Sequence, residues 1–291
     1  MRKRIQESQV GVLFRVFWLR VIDLDLMSAD ADASRLTQQF ATVLITVSLF
    51  LALPVLLSGG HRLSLESGWT AEHLFIETTM TIAGLIAALN WDSAFPDRLD
   101  VLVLSTLPVR DRTLLLVKIS AMFAVPILAM ISFNIFLGVA WPVLFISGNG
   151  GLSGVLRSWC AYWTTSFFAG SFMVFTTIAI HGLAANLLPR RFFLRISALL
   201  QASTLCLLLC LYFLEPSLES VAALTAQRNQ YVLAWLPSYW FLGLFQQLNG
   251  SMHPALISLA TRAWVGLATS FACASASRLL YYFRMLPKII E

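Results

Sequence analysis

Glu77 interrupts an otherwise apolar run, Leu74 to Trp91, and sits beside Thr78, Thr79 and Thr81. A carboxylate withdrawn from water is costly unless it is paired, hydrated or protonated, so this side chain is a functional candidate by default. The plainer reading is a wet side chain, because Glu77 lies only about one turn from the outer end of its segment. Both readings stand on the residues alone. Asn134, in the apolar stretch Ile119 to Ile146, suits a hydrogen bond between helices better than a substrate contact. His61, His73, His181 and His253 occur singly and are expected at interfaces or in hydrogen bonds. Cys160, Cys206, Cys210 and Cys273 all lie in apolar stretches, where buried small side chains are expected. No Cys or His stands at metal-ligand spacing, so no metal is expected.

Catalytic motifs are missing. There is no Gly-x-x-x-x-Gly-Lys-Ser/Thr loop to cradle ATP phosphates, no His-Glu-x-x-His zinc helix and no Gly-x-Ser-x-Gly elbow. The chain is therefore read as a non-enzyme that binds no cofactor itself. Its formal charge of +5 does not argue for nucleic acid, because the basic residues flank apolar segments.

The elements that must position these residues follow from composition. Of 291 residues 58% are hydrophobic and only 12% charged, and the mean hydropathy is +0.77; a soluble domain carries about 25% charged residues. A spanning helix needs about 20 apolar residues to cross a hydrocarbon core about 30 Å thick. Six segments qualify, at about 40–60, 74–91, 119–146, 159–183, 196–214 and 254–283, which predicts an all-α membrane protein with one six-helix domain over 39–284. Pro126 and Pro142 predict a kink or an interfacial last turn in the third segment. In the sixth, Arg262 and Arg278 are far enough apart for each to reach its own interface.

Sixteen of the 20 Lys and Arg residues fall on one side of this arrangement. Only Arg62, Arg157, Arg228 and Arg262 fall on the other. The excess of basic residues marks the cytoplasmic side, so both termini are expected in the cytoplasm. Arg15 and Arg20 interrupt the apolar core that a signal peptide would need after Met1-Arg-Lys-Arg, and no cleavage is expected.

Three further segments are apolar without being spans. In the cytoplasmic region 1–38, Val10, Phe14, Phe17 and Val21 share one helical face against Arg15, Arg20 and Asp23, which predicts an interfacial helix from Val10 to Leu26. Residues 285–291 form a short cytoplasmic tail. Between spans two and three, Pro96 suits a first helical turn, Leu99, Leu102 and Val103 make a short apolar face, and Pro108 stops it. This second segment suits docking to a cytoplasmic partner or lying on the lipid surface. The third is the outer stretch from Glu215 to His253, where a polar part is followed by Leu233 to Gly250, too short and too Pro/Gly-broken to span twice and too apolar for a solvated loop. Interfacial or re-entrant helices are expected there, with Trp235, Tyr239 and Trp240 at headgroup level.

Two motifs carry a resemblance. Phe95-Pro-Asp-Arg-Leu-Asp100 is followed by Leu107-Pro-Val109 and by Lys118 at the start of span three, and Leu236-Pro-Ser-Tyr-Trp-Phe-Leu-Gly243 precedes span six. With the layout around them they resemble the permease subunits of type-2 ATP-binding-cassette exporters. The resemblance covers nearly the whole chain as a layout more than as identities. It implies an elbow helix, a coupling helix between spans two and three, and two short outer helices between spans five and six. Some bacterial relatives of that kind join two six-helix units, and Tyr281-Tyr-Phe-Arg284 looks like the close of a first unit.

On this resemblance Phe95, Pro96, Asp97, Arg98, Asp100, Leu107, Pro108, Arg110 and Arg112 would contact cytoplasmic nucleotide-binding ATPase subunits, which would hold the ATP and Mg. Pro237, Tyr239, Trp240, Phe241 and Gly243 would form the outer re-entrant segment. The chain would lie in a bacterial inner membrane and pair with a second copy or a similar six-helix chain. Two other functions suit the same sequence: a proton-coupled secondary transporter using Glu77, and a non-transporting assembly or anchoring subunit.

Overall fold

The computed structural model describes residues 33–57, 69–90, 111–144, 151–215, 223, 226–250 and 254–290. Among them the structure is all helical. In order the helices are α1 (Ala33–Leu57), α2 (Trp69–Leu89), α3 (Asp111–Asn134), α4 (Leu137–Leu144), α5 (Gly151–Leu187), α6 (Arg190–Leu214), α7 (Gln230–Trp235), α8 (Pro237–Asn249) and α9 (Pro254–Ile290). Four of these, α2, α5, α6 and α9, contain stretches long and apolar enough to cross a membrane. The chain is a multi-pass membrane protein. Helices are the expected element, since in lipid each must satisfy its own backbone hydrogen bonds. α1 and α3 hold shorter apolar stretches, Gln38–Pro54 and Met122–Asn134. The expected elbow helix and the segment from Phe95 to Arg110 lie outside the described residues, whereas Arg112 is in the first turn of α3.

Several sequence expectations are corrected by the helix boundaries. The second apolar segment begins at Trp69 instead of Leu74, so Glu72 and His73 belong to the same helix as Glu77. Apolar counting set the boundary too late because it treats a charged residue as an end. In the third segment the interruption falls at Ile135 and Phe136, and Pro126 and Pro142 both lie inside helices. Ser48 of α1, fully buried, explains the position: its Oγ accepts the Phe136 and Leu137 N–H groups at 3.2 and 3.3 Å. A cap from a neighbouring helix satisfies donors that a helix start leaves open. The four cysteines are exposed on the protein's own surface, not buried within it. Apolar sequence context alone does not separate a lipid-facing side chain from a protein-facing one.

α5 is the centre of the bundle and packs against α2, α3, α4, α6, α8 and α9. In lipid the hydrophobic effect does not pull helices together, and close packing of small residues and interhelical hydrogen bonds take its place. α5 supplies them: Ser158, Ala161, Thr165, Ser166, Ala169 and Gly170 are all buried. At Gly170 a Cβ would collide with Met130 Sδ of α3. A similar closeness joins α8 to α9, where a Cβ on Gly243 would lie 2.6 Å from the Leu259 Cβ and 2.9 Å from the Leu256 carbonyl oxygen. Neither helix could approach this closely with a larger residue there.

Candidate functional site

α2 enters the bundle with Glu72, His73, Glu77 and Thr79, all buried. His73 and Glu77 are one turn apart and share a face. Glu72 and Thr79 are two turns apart and share a neighbouring face. This helix therefore carries two polar stripes into an apolar bundle, and other elements must supply partners for both.

Asn134, the last residue of α3, meets the second stripe. Its Nδ2 donates to Thr79 Oγ1 at 3.1 Å and to the Met130 carbonyl at 2.9 Å, and its Oδ1 accepts from the Tyr162 hydroxyl at 2.7 Å. Asn134 thus ties α2, α3 and α5 together with its amide groups engaged. Higher on the same stripe, Glu72 Oε2 accepts from Gln246 Nε2 of α8 at 3.2 Å.

The first stripe meets residues from two other elements. His73 Nδ1 lies 3.9 Å from Glu77 Oε2, and His73 Nε2 lies 3.3 Å from Glu215 Oε1, at ion-pair range but outside hydrogen-bond geometry. Glu215 caps the end of α6, where its N–H bonds the Leu211 carbonyl. Ser238, in the first turn of α8, donates a hydrogen bond to the same Glu215 Oε1. Tyr239 follows it and stacks on the His73 ring, with centroids 4.0 Å apart and planes inclined by 23°. The imidazole is held between two carboxylates, and its plane is set by the tyrosine. One ligand atom each from His73, Glu77 and Glu215 lie within 4.8 Å of one another. Among the described residues no Lys or Arg pairs with this cluster.

α8 owes its inward position to its sequence. Pro237 starts the helix at a position that lacks no needed N–H. Gly250 ends it in the left-handed region at φ 106°, with its N–H on the Gln246 and Gln247 carbonyls. The Arg157 Nε on α5 donates to the Leu248 carbonyl at 2.8 Å, where a cation favours the negative end of a helix. Phe241 is fully buried and packs on Phe172. Tyr239 is 1% exposed, and Trp240 turns its ring to Phe172 and donates to the Leu233 carbonyl. Tyr239 is packed inside the protein and Trp240 is partly covered, whereas Trp235, at 77% exposure, faces outward. A separate groove, lined by Trp240, Arg262, Val265 and Thr269, opens between α8 and α9.

Of the residues singled out in the sequence, Glu77, Tyr239 and the single His73 come together, while Asn134 serves a different network. Glu77 is buried, not wet at an open end. Glu72, Glu215, Ser238 and Gln246 were missed. The available signal was helical spacing, of His73 to Glu77 and of Glu72 to Thr79. Nothing in sequence marked Glu215, the first residue of the polar part of the outer stretch. Comparisons with known protein families, curated proteins and solved structures returned no match.

Proposed function

We propose that the chain is the membrane-spanning permease subunit of an ATP-driven exporter, with α1 and the α3–α4 pair completing six spans alongside α2, α5, α6 and α9. It works in an inner membrane with both termini cytoplasmic, paired with a second copy or a similar chain. Separate cytoplasmic ATPase subunits, bound through the segment from Phe95 to Arg112, hydrolyse ATP and drive alternating access. The observation that carries this reading is the return of α8 into the bundle directly before the last long helix. A short outer helix that packs against α2, α5 and α9 couples the outer end of the bundle to the helices that must rock. The wide apolar surfaces of α6 and α9, with Leu207, Phe213, Val265 and Phe271 exposed, offer area for lipid and for a partner permease.

A proton-coupled carrier is the second reading, favoured by the buried His73, Glu77 and Glu215 and by the break between α3 and α4. Discontinuous helices near titratable groups are a feature of such carriers. Reconstitution into proteoliposomes separates the two. The exporter reading expects transport with ATP and a co-purified ATPase, and only a modest loss in Glu77→Gln, since an amide of similar size keeps the shape. Uptake driven by an imposed pH gradient without any ATPase, and abolished in Glu77→Gln, would overturn it, because an amide cannot gain and lose the proton.

A further inference from the structure

The His73, Glu77 and Glu215 cluster has an unbalanced composition. Two carboxylates and an imidazole are gathered from α2 and from the end of α6, with side-chain exposures of 9%, 11% and 5%. The hydrogen-bond donor directed at them by a neighbour is the Ser238 hydroxyl. Glu77 Oε1 is buried without a hydrogen-bond partner. A buried carboxylate persists when it is paired, protonated or bound to a metal, and among the described residues no Lys or Arg stands in ion-pair range of this cluster.

We propose that this cluster is a binding site for a single divalent transition-metal ion of the zinc class, held by His73 Nε2 and by one carboxylate oxygen each from Glu215 and Glu77. The donor set is the first reason. Imidazole nitrogen with carboxylate oxygen suits zinc, whereas calcium and magnesium take oxygen ligands throughout. Distance is the second. Zinc bonds of about 2.0–2.1 Å in a tetrahedral arrangement place adjacent ligand atoms about 3.3 Å apart, and His73 Nε2 already stands 3.3 Å from Glu215 Oε1. One ligand atom from each of the three side chains lies within 4.8 Å of the others, so Glu77 stands close enough to complete the set. The surroundings are the third reason. Ser238 orients the Glu215 carboxylate and Tyr239 fixes the plane of the His73 ring, the kind of outer support that metal sites use. Three protein ligands leave a fourth position open for water. The ion would clamp α2 to α6 and, through Ser238 and Tyr239, to α8, whatever the bundle transports.

The test uses the full chain, purified in detergent with any affinity tag removed, stripped with a chelator and titrated with zinc or cobalt. Wild-type protein should bind one equivalent of zinc, and cobalt should give the visible absorption of a tetrahedral nitrogen and oxygen site. Ser238→Ala should weaken binding roughly 10- to 100-fold, as loss of an outer partner does. Glu215→Gln and His73→Ala should weaken it further. Glu77→Gln, nearly isosteric, guards against a folding artefact and should also lose affinity while the protein stays monodisperse. No saturable binding by folded wild type would overturn the proposal, and so would binding left unchanged in Glu77→Gln and Glu215→Gln. Because the readout is metal binding and not transport, its failure is distinct from failure of the exporter reading.

Discussion

α2 and α6 lie side by side and reverse the rule for soluble proteins. α2 carries two glutamates, a histidine and four threonines, yet 67% of its spanning window is buried inside the protein. α6 is the most apolar of the four candidate spans, and only 6% of its apolar stretch is buried. In lipid the outside of the bundle is the apolar place, and polar groups must find partners inside. The two helices touch through Gly84 against Leu208, through Gln201 Nε2 on the Ala88 carbonyl, and through the Thr78 and Tyr212 hydroxyls at 3.2 Å. α2 therefore belongs to the interior, and α6 forms a wall whose C-cap residue, Glu215, meets His73 of α2.

The sharpest way to break this contrast is a charge on the outer face of α6. Leu207 is 58% exposed, and an arginine near the centre of a span costs about 2.5–3.5 kcal/mol of insertion. Leu207→Arg should shift membrane insertion by that amount in a translocation assay. Unchanged insertion would mean that this face meets water or a polar partner instead of lipid.

A smaller effect compares two glycines. Gly243→Ala sets a Cβ against the α9 backbone, which cannot yield easily, and should cost about 1–3 kcal/mol in detergent unfolding, as overpacking does. Gly84→Ala meets the Leu208 and Met173 side-chain ends at 3.2 to 3.4 Å, and both can turn aside. Its cost should stay below about 1 kcal/mol. Equal losses would show that α6 packs as rigidly as the interior.

The smallest expected effect is the link between the two helices. A double-mutant cycle with Thr78→Val and Tyr212→Phe should give a coupling of about 0.6 kcal/mol, the average for interhelical hydrogen bonds in a membrane. A value near zero would leave α6 tied to α2 by Gln201 and packing alone.

How much was legible can be followed residue by residue. The apolar runs behind α2, α5, α6 and α9 stood out because length and desolvation of the backbone dictate a helix, independent of what lies beside it. Glu77 stood out for the same reason, as a charge in such a run. The break at Ile135 was not legible, since the two prolines are the local signals and the cap that decides the matter, Ser48, sits on another helix. The inward turn of Tyr239 was hidden too: the same Trp and Tyr pattern serves an interfacial belt or a packed re-entrant helix.

By itself the sequence determined that the chain is helical and that it crosses a membrane several times, because these depend on composition and local spacing. Tertiary structure alone decided which polar residues meet. Glu72 finds Gln246 across 174 positions, and His73 meets Glu215 only because α6 ends beside the start of α2. Partner choice of that kind depends on the arrangement of whole helices in space, and local periodicity holds no information about it.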